Sequence, residues 1–119
     1  MKICLCGSTK FKKEWEEANI QLTLGGHIVF SVAMMSHADG VDLDPMDKEV
    51  LDLVHLLKVA RSDAVVVVTD HTGYYGDSTR RELKWAAMLG KTIYTGPGEV
   101  LPVRKLTTLN KGNSYGLTR

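Results

Sequence analysis

Cysteine is scarce in this chain: Cys4 and Cys6 are the only two in 119 residues. A secreted disulfide framework or a four-ligand zinc pattern would need more of them at recognisable spacings. The pair is therefore expected to be reduced and to pack on one face of a strand, where residues two apart point the same way. Long apolar runs are missing as well. The amino-terminal stretch MKICLCGSTKFKKEW holds too short an apolar segment for a signal peptide, and nothing approaches the roughly 20 apolar residues of a membrane span. A cytoplasmic protein without a membrane partner is the expectation. Charge of one sign is also lacking. The formal net charge is +1, and apart from Lys10, Lys12 and Lys13 the basic residues are dispersed, which leaves no field for duplex nucleic acid. Internal repeats and low-complexity segments are absent, which excludes solenoids.

What is present is ordinary globular composition, 44% hydrophobic and 24% charged. A chain of this length suits a single domain over 1–119, burying roughly two-thirds of the surface its unfolded form exposes. KICLC at Lys2 to Cys6 reads as a strand buried on both faces. Phe11, Trp15, Ala18 and Leu22 recur at helical spacing up to Gly25 and Gly26. A second short strand is expected over His27 to Val32. The next helix starts at Pro45, with Val50, Leu53, Val54, Leu57 and Val59 or Ala60 as an apolar stripe toward Arg61. AVVVV at Ala64 to Val68 is a β-branched run without polar alternation, the mark of a central parallel strand. A helix follows through about Leu89, using Leu83, Ala86, Ala87 and Leu89 before Gly90, and Thr92 to Thr95 forms the next strand. Residues 97–119 are a weakly patterned tail with room for one short element.

Strands alternating with helices imply right-handed crossovers, hence an α/β fold: a Rossmann-like or flavodoxin-like three-layer sandwich on a small, mostly parallel sheet of four to five strands. The alternation is too short for a closed eightfold barrel. Ligands of such sheets bind beyond the C-terminal strand edge, where strand order reverses. That rule selects the loops at 6–10, 31–40 and 69–79. Gly7, Ser8 and Thr9 offer backbone N–H groups, hydroxyls and a positive helix end to an anion, or cap the helix only. Asp77, Ser78 and Thr79 are candidate caps of the last helix, followed by Arg80 and Arg81, cations that fit a helix start best when an anion sits there. Thr79 to Glu82 matches a capping box, in which Glu82 bonds back to the Thr79 backbone. HADGVDLD lacks the residue order of a calcium loop and reads as a solvated loop or lid, so no metal is expected. His55 and His71 are candidate acid–base groups, with hydrogen-bonded packing the alternative for His55. Tyr74 and Tyr75 are placed to stack on a base or to sit exposed.

Three stretches, KICLCGSTKF, RSDAVVVV and DSTRRELKWAAMLGKTIY, together resemble the nucleoside 2-deoxyribosyltransferase-like family, which includes deoxynucleotide N-glycosidases. The resemblance spans about residues 1–95, and its most specific part falls on Ser78, Thr79, Glu82, Ala86, Gly90 and Lys91. It implies a Rossmann-like sheet, no cofactor, a small nucleoside or nucleotide as partner, and Glu82 as a catalytic nucleophile. It further implies that Gly7, Ser8 and Thr9 line the sugar or its 5′ end and that Ser78 and Thr79 hold sugar or phosphate. Asp77 and Arg80, at the same helix start, complete the expected substrate contacts on that side. Counted back from Asp63, the family's substrate-contacting aspartate falls on His55, with Asp52 one helical turn earlier. Ser78 stands where a glycine is common. A homo-oligomer is implied too, in which a neighbour's C-terminal region completes the pocket, and Asn110, Asn113, Ser114 and Tyr115 are the residues available for that. A non-catalytic sensor or sequestering module for a nucleotide-derived ligand is the alternative that the same residues leave open.

Overall fold

A computed structural model describes residues 1–100 of the chain. Four strands, β1 (Lys2–Gly7), β2 (Ile28–Phe30), β3 (Ala64–Val68) and β4 (Thr92–Tyr94), alternate with three helices, α1 (Lys12–Leu24), α2 (Pro45–Arg61) and α3 (Asp77–Met88). The sheet is wholly parallel in the order β2-β1-β3-β4, with Ile3 opposite Ala64 and Gly7 opposite Val68. The chain leaves β1 toward one edge and returns past it to β3, so the order reverses between β1 and β3. The expected Rossmann-like sandwich is the fold observed.

Two packed layers account for the uninterrupted apolar character of β1 and β3. Ile3, Leu5, Val66 and Val68 meet Trp15, Ala18 and Leu22 of α1 on one face. On the other, Cys4, Cys6 and Val65 meet Val59 of α2 and Ala86 of α3. A strand covered on both sides keeps no polar face, which is why its pattern shows no alternation. The edge strands β2 and β4 are three residues each, shorter than the sequence suggests, because each pairs with one neighbour only.

Local chemistry sets the helix ends. Asp44 caps α2, its carboxylate accepting from the Asp47 N–H at 2.9 Å, with Pro45 in the first turn and Lys58 and Arg61 in the last. Gly26 (φ 95°) follows α1 and Gly90 (φ 73°) follows α3, both in the left-handed region where a side chain is strained. Trp85 Nε1 donates to the Leu56 carbonyl at 2.9 Å and ties α3 to α2.

The apolar stripe of α2 divides: Val50, Leu53, Val54 and Leu57, together with Met46, are exposed, while Val59, grouped with them in the sequence, is buried beside His55. At about 100° per residue these two sets lie on opposite sides of the helix. The sheet-facing positions have to fit over Cys4 and Cys6, and the larger apolar side chains point outward. Beyond Tyr94 the described residues form a 3-10 turn, Pro97–Glu99. The tail residues Asn110, Asn113, Ser114 and Tyr115 lie outside the described residues. No helix among the described residues is long and apolar enough to cross a membrane.

Candidate functional site

A cleft of about 710 Å³ opens at the C-terminal edge of the sheet, above the point where strand order reverses. Its volume is in the range of small-molecule sites. The three loops selected from sequence converge on it: Gly7 to Lys10, Val32 to Leu43, and Tyr74 to Thr79 all contribute to the lining. Gly7 pairs with Val68 of β3. A β-carbon there would lie 2.2 Å from the Val68 carbonyl oxygen, so no side chain fits without moving one of the central strands. Ser8 is fixed through its carbonyl, which accepts from Trp15 Nε1 at 2.9 Å. Thr9 bonds through its hydroxyl to His37 Nδ1 at 2.5 Å, and Lys12 pairs with Asp39 at 3.0 Å, so the 31–44 loop is held against the start of α1.

Glu82 lines the floor of this cleft. Its side chain is 13% exposed, and Oε1 lies 3.8 Å from His55 Nε2. Burial raises the Glu82 pKa above its ordinary value, against the opposing pull of His55 and a hydrogen bond from the Cys6 thiol. His55 is more deeply placed, its Nε2 donating to the Leu5 carbonyl at 2.9 Å. Burial alone would lower the His55 pKa. Cys4, Glu82 and the Leu5 carbonyl outweigh that and leave it raised. The Cys6 hydrogen bond pulls the Cys4 thiol down to about 6 against burial, with help from His55 and Lys58. Cys6, hydrogen-bonded to Cys4 and buried, is pushed well above the ordinary thiol value.

The capping box expected from Thr79 to Glu82 is not formed. Gly76 occupies the N-cap position, no side chain caps α3, and Thr79 is already inside the first turn, buried against the cleft. A turn's displacement of the helix start therefore frees Glu82 from the backbone and turns it toward His55. Ser78 and Asp77 also border the cleft, although the Asp77 side chain is 95% exposed and pairs with Arg80 at 3.1 Å. Arg80 does not line the cleft, and its guanidinium lies 5.5 Å from the Tyr75 ring. Arg81 is exposed and also outside the lining. Among the described residues, Lys10, Lys48 and Lys58 are the lysines and arginines that face the cavity. Lys48 pairs with Asp52 at 2.9 Å, Lys58 donates to the Ser31 carbonyl at 2.6 Å, and Lys10 lies 4.2 Å from the Tyr74 ring centre. Lys48 and Lys58 had no motif to single them out. Their positions on α2, four and three residues from Asp52 and His55, were the available signal.

Of the sequence-predicted site residues, Gly7, Ser8, Thr9, Asp52, His55, Asp77, Ser78, Thr79 and Glu82 thus share one cavity, and Arg80 lies beside it. His71 is outside the lining. Searches against protein-family models, curated proteins and solved structures find no match to this chain.

Proposed function

We propose that this protein cleaves or transfers the N-glycosidic bond of a deoxynucleoside or its 5′-monophosphate, with Glu82 as the nucleophile. The observation that carries the reading is a carboxylate only 13% exposed, released from any capping role, in a cleft beyond the strand ends. Departure of a base from C1′ passes through an oxocarbenium-like state, which a fixed carboxylate stabilises and then captures as a glycosyl-enzyme intermediate. The electron pair of the C1′–N bond leaves with the base. Water completes hydrolysis, or a second base completes transfer.

Other cleft residues have roles consistent with this chemistry. The Glu82 carboxylate lies 3.8 Å from His55 Nε2, whose charge would steady its ionised form. Ser8, Thr9 and Ser78 offer hydroxyls to a sugar or phosphate, and Lys10 supplies a cation near them. Tyr74, half exposed at the rim, is available to stack on a base. The outward apolar stripe of α2 continues into the cleft wall through Val54, which supports a homo-oligomer whose neighbour borders the pocket.

One feature favours the alternative of a nucleotide-derived ligand bound without turnover. His55 stands where the resembled family has an aspartate, and its Nε2 is engaged with the Leu5 carbonyl rather than with the cavity. Asp52 on the same wall is then the residue to compare in the leaving-base step.

Release of free base from a panel of deoxynucleosides and their 5′-monophosphates decides between them. Wild type is expected to release base from at least one member, and folded Glu82→Gln to lose at least about 10³-fold in rate. Ligand binding without release by either protein would replace the enzyme by the sensor.

A further inference from the structure

We propose that Cys4, Cys6 and His55 form a binding site for a thiophilic divalent cation of the zinc class. The two cysteines are two residues apart on β1, so both sulfurs leave the strand on the face covered by α2 and α3. His55 reaches them from α2, with Nε2 3.7 Å from Cys4 Sγ and 3.6 Å from Cys6 Sγ. All three residues are buried, and their donor atoms lie within 4.8 Å of one another. A tetrahedral zinc ion, with bonds of about 2.3 Å to sulfur and about 2.0 Å to nitrogen, requires a sulfur-to-nitrogen edge of about 3.5 Å. The metal-free cluster already has nearly that spacing.

A fourth donor stands on the open side. Glu82 Oε1 is 3.8 Å from the same nitrogen and faces the cleft, which gives an ion a route in and a carboxylate to close its coordination. Two thiolates, an imidazole and a carboxylate select zinc or its cobalt surrogate over magnesium or calcium, which prefer all-oxygen sites. Both cysteines bind as thiolates, so whichever thiol proton is still in place leaves to solvent as the ion enters. Binding also moves the His55 proton from Nε2 to Nδ1, so that the Leu5 carbonyl gives up its 2.9 Å bond. Nδ1 is buried and has no hydrogen-bond partner among the described residues. Histidines in closed structural zinc sites usually have such a partner, so the ion here is held less tightly and exchanges. With Glu82 committed to the metal, its carboxylate is withdrawn from C1′, and metal loading switches off base release. That last consequence rests on the proposed role of Glu82, whereas metal binding does not.

The test is a cobalt titration of the reduced, metal-free 119-residue chain. One equivalent of Co²⁺ is expected to produce thiolate-to-cobalt charge-transfer absorption with the intense visible bands of a tetrahedral ion. Zinc should displace it, and a hundredfold excess of Mg²⁺ should not. Cys4 and Cys6 are the only cysteines in the sequence, so a thiolate band has one possible origin. Cys6→Ser, with folding checked by circular dichroism, should lose at least half of the charge-transfer intensity. No such band at tenfold excess Co²⁺, or an undiminished band in folded Cys6→Ser, overturns the site. If that variant does not fold, alkylation of wild type decides: zinc should slow modification of both thiols at least tenfold, and unchanged rates overturn the proposal. Base release is assayed separately with and without zinc. Cobalt binding in a protein that releases no base when metal-free would keep the metal site and remove the nucleophile.

Discussion

Glu82 and His55 belong to different helices, and what each does depends on what surrounds it. Burial raises the Glu82 pKa even though His55 and Cys6 pull the other way. The proposed nucleophile works only when ionised, so base release should be present above the folded-state pKa and be lost as the pH falls through it. Because that pKa is raised, the acidic limb of kcat/KM for base release should have its midpoint above the ordinary glutamate value of about 4.3. A midpoint at or below that value would contradict the buried placement. The Thr79 to Glu82 spacing suggested a backbone partner for Glu82 that is not formed, since the helix starts at Asp77 rather than after Thr79. Gly7 is a similar case. It was visible as a loop glycine suited to an anion, while its contact with the Val68 carbonyl exists only once β1 and β3 are paired.

Among the elements, α2 contributes most to the site and was read least completely. Its limits, Pro45 and Arg61, follow from a capping aspartate, a first-turn proline and basic residues in the last turn, all local signals. Asp44→Ala removes the carboxylate that accepts from the Asp47 N–H and should destabilise the protein by about 1 kcal/mol, read as a lower denaturant midpoint at unchanged slope. Asp44→Asn should retain most of that stability. The facing of the helix was not legible. Helical periodicity fixes which side chains share a side, but the partner that covers each side lies elsewhere in the chain. Here β1 and β3 present small residues, Cys4, Cys6 and Val65, and His55 and Val59 fit over them.

At the scale of the whole molecule, the consequence is an apolar face on the outside. Met46, Leu53 and Leu57 are 74%, 59% and 47% exposed, in line along one side of α2. A stripe of this kind is the surface through which the proposed homo-oligomer would associate. Wild type should therefore run as a dimer or larger in light scattering coupled to size exclusion, and Leu53→Glu with Leu57→Glu should convert it to a monomer of unchanged secondary structure. A wild type that stays monomeric at high concentration would remove the oligomer from the proposed function.

The sequence by itself determined the order of elements, the parallel sheet and the three loops that meet at the cleft. Those depend on short-range patterns: β-branched runs for buried strands, 3.6-residue spacing and end signals for helices, and the right-handed crossover that links them. Only the tertiary structure decided which residues touch. His55 lies 49 and 51 residues from the two cysteines it joins, and Glu82 a further 27 along the chain. Their meeting requires that β1 pair with β3 and that α2 and α3 cover the same face of the sheet. Contacts of that kind come from packing across the sheet, for which no local spacing in the chain provides a signal.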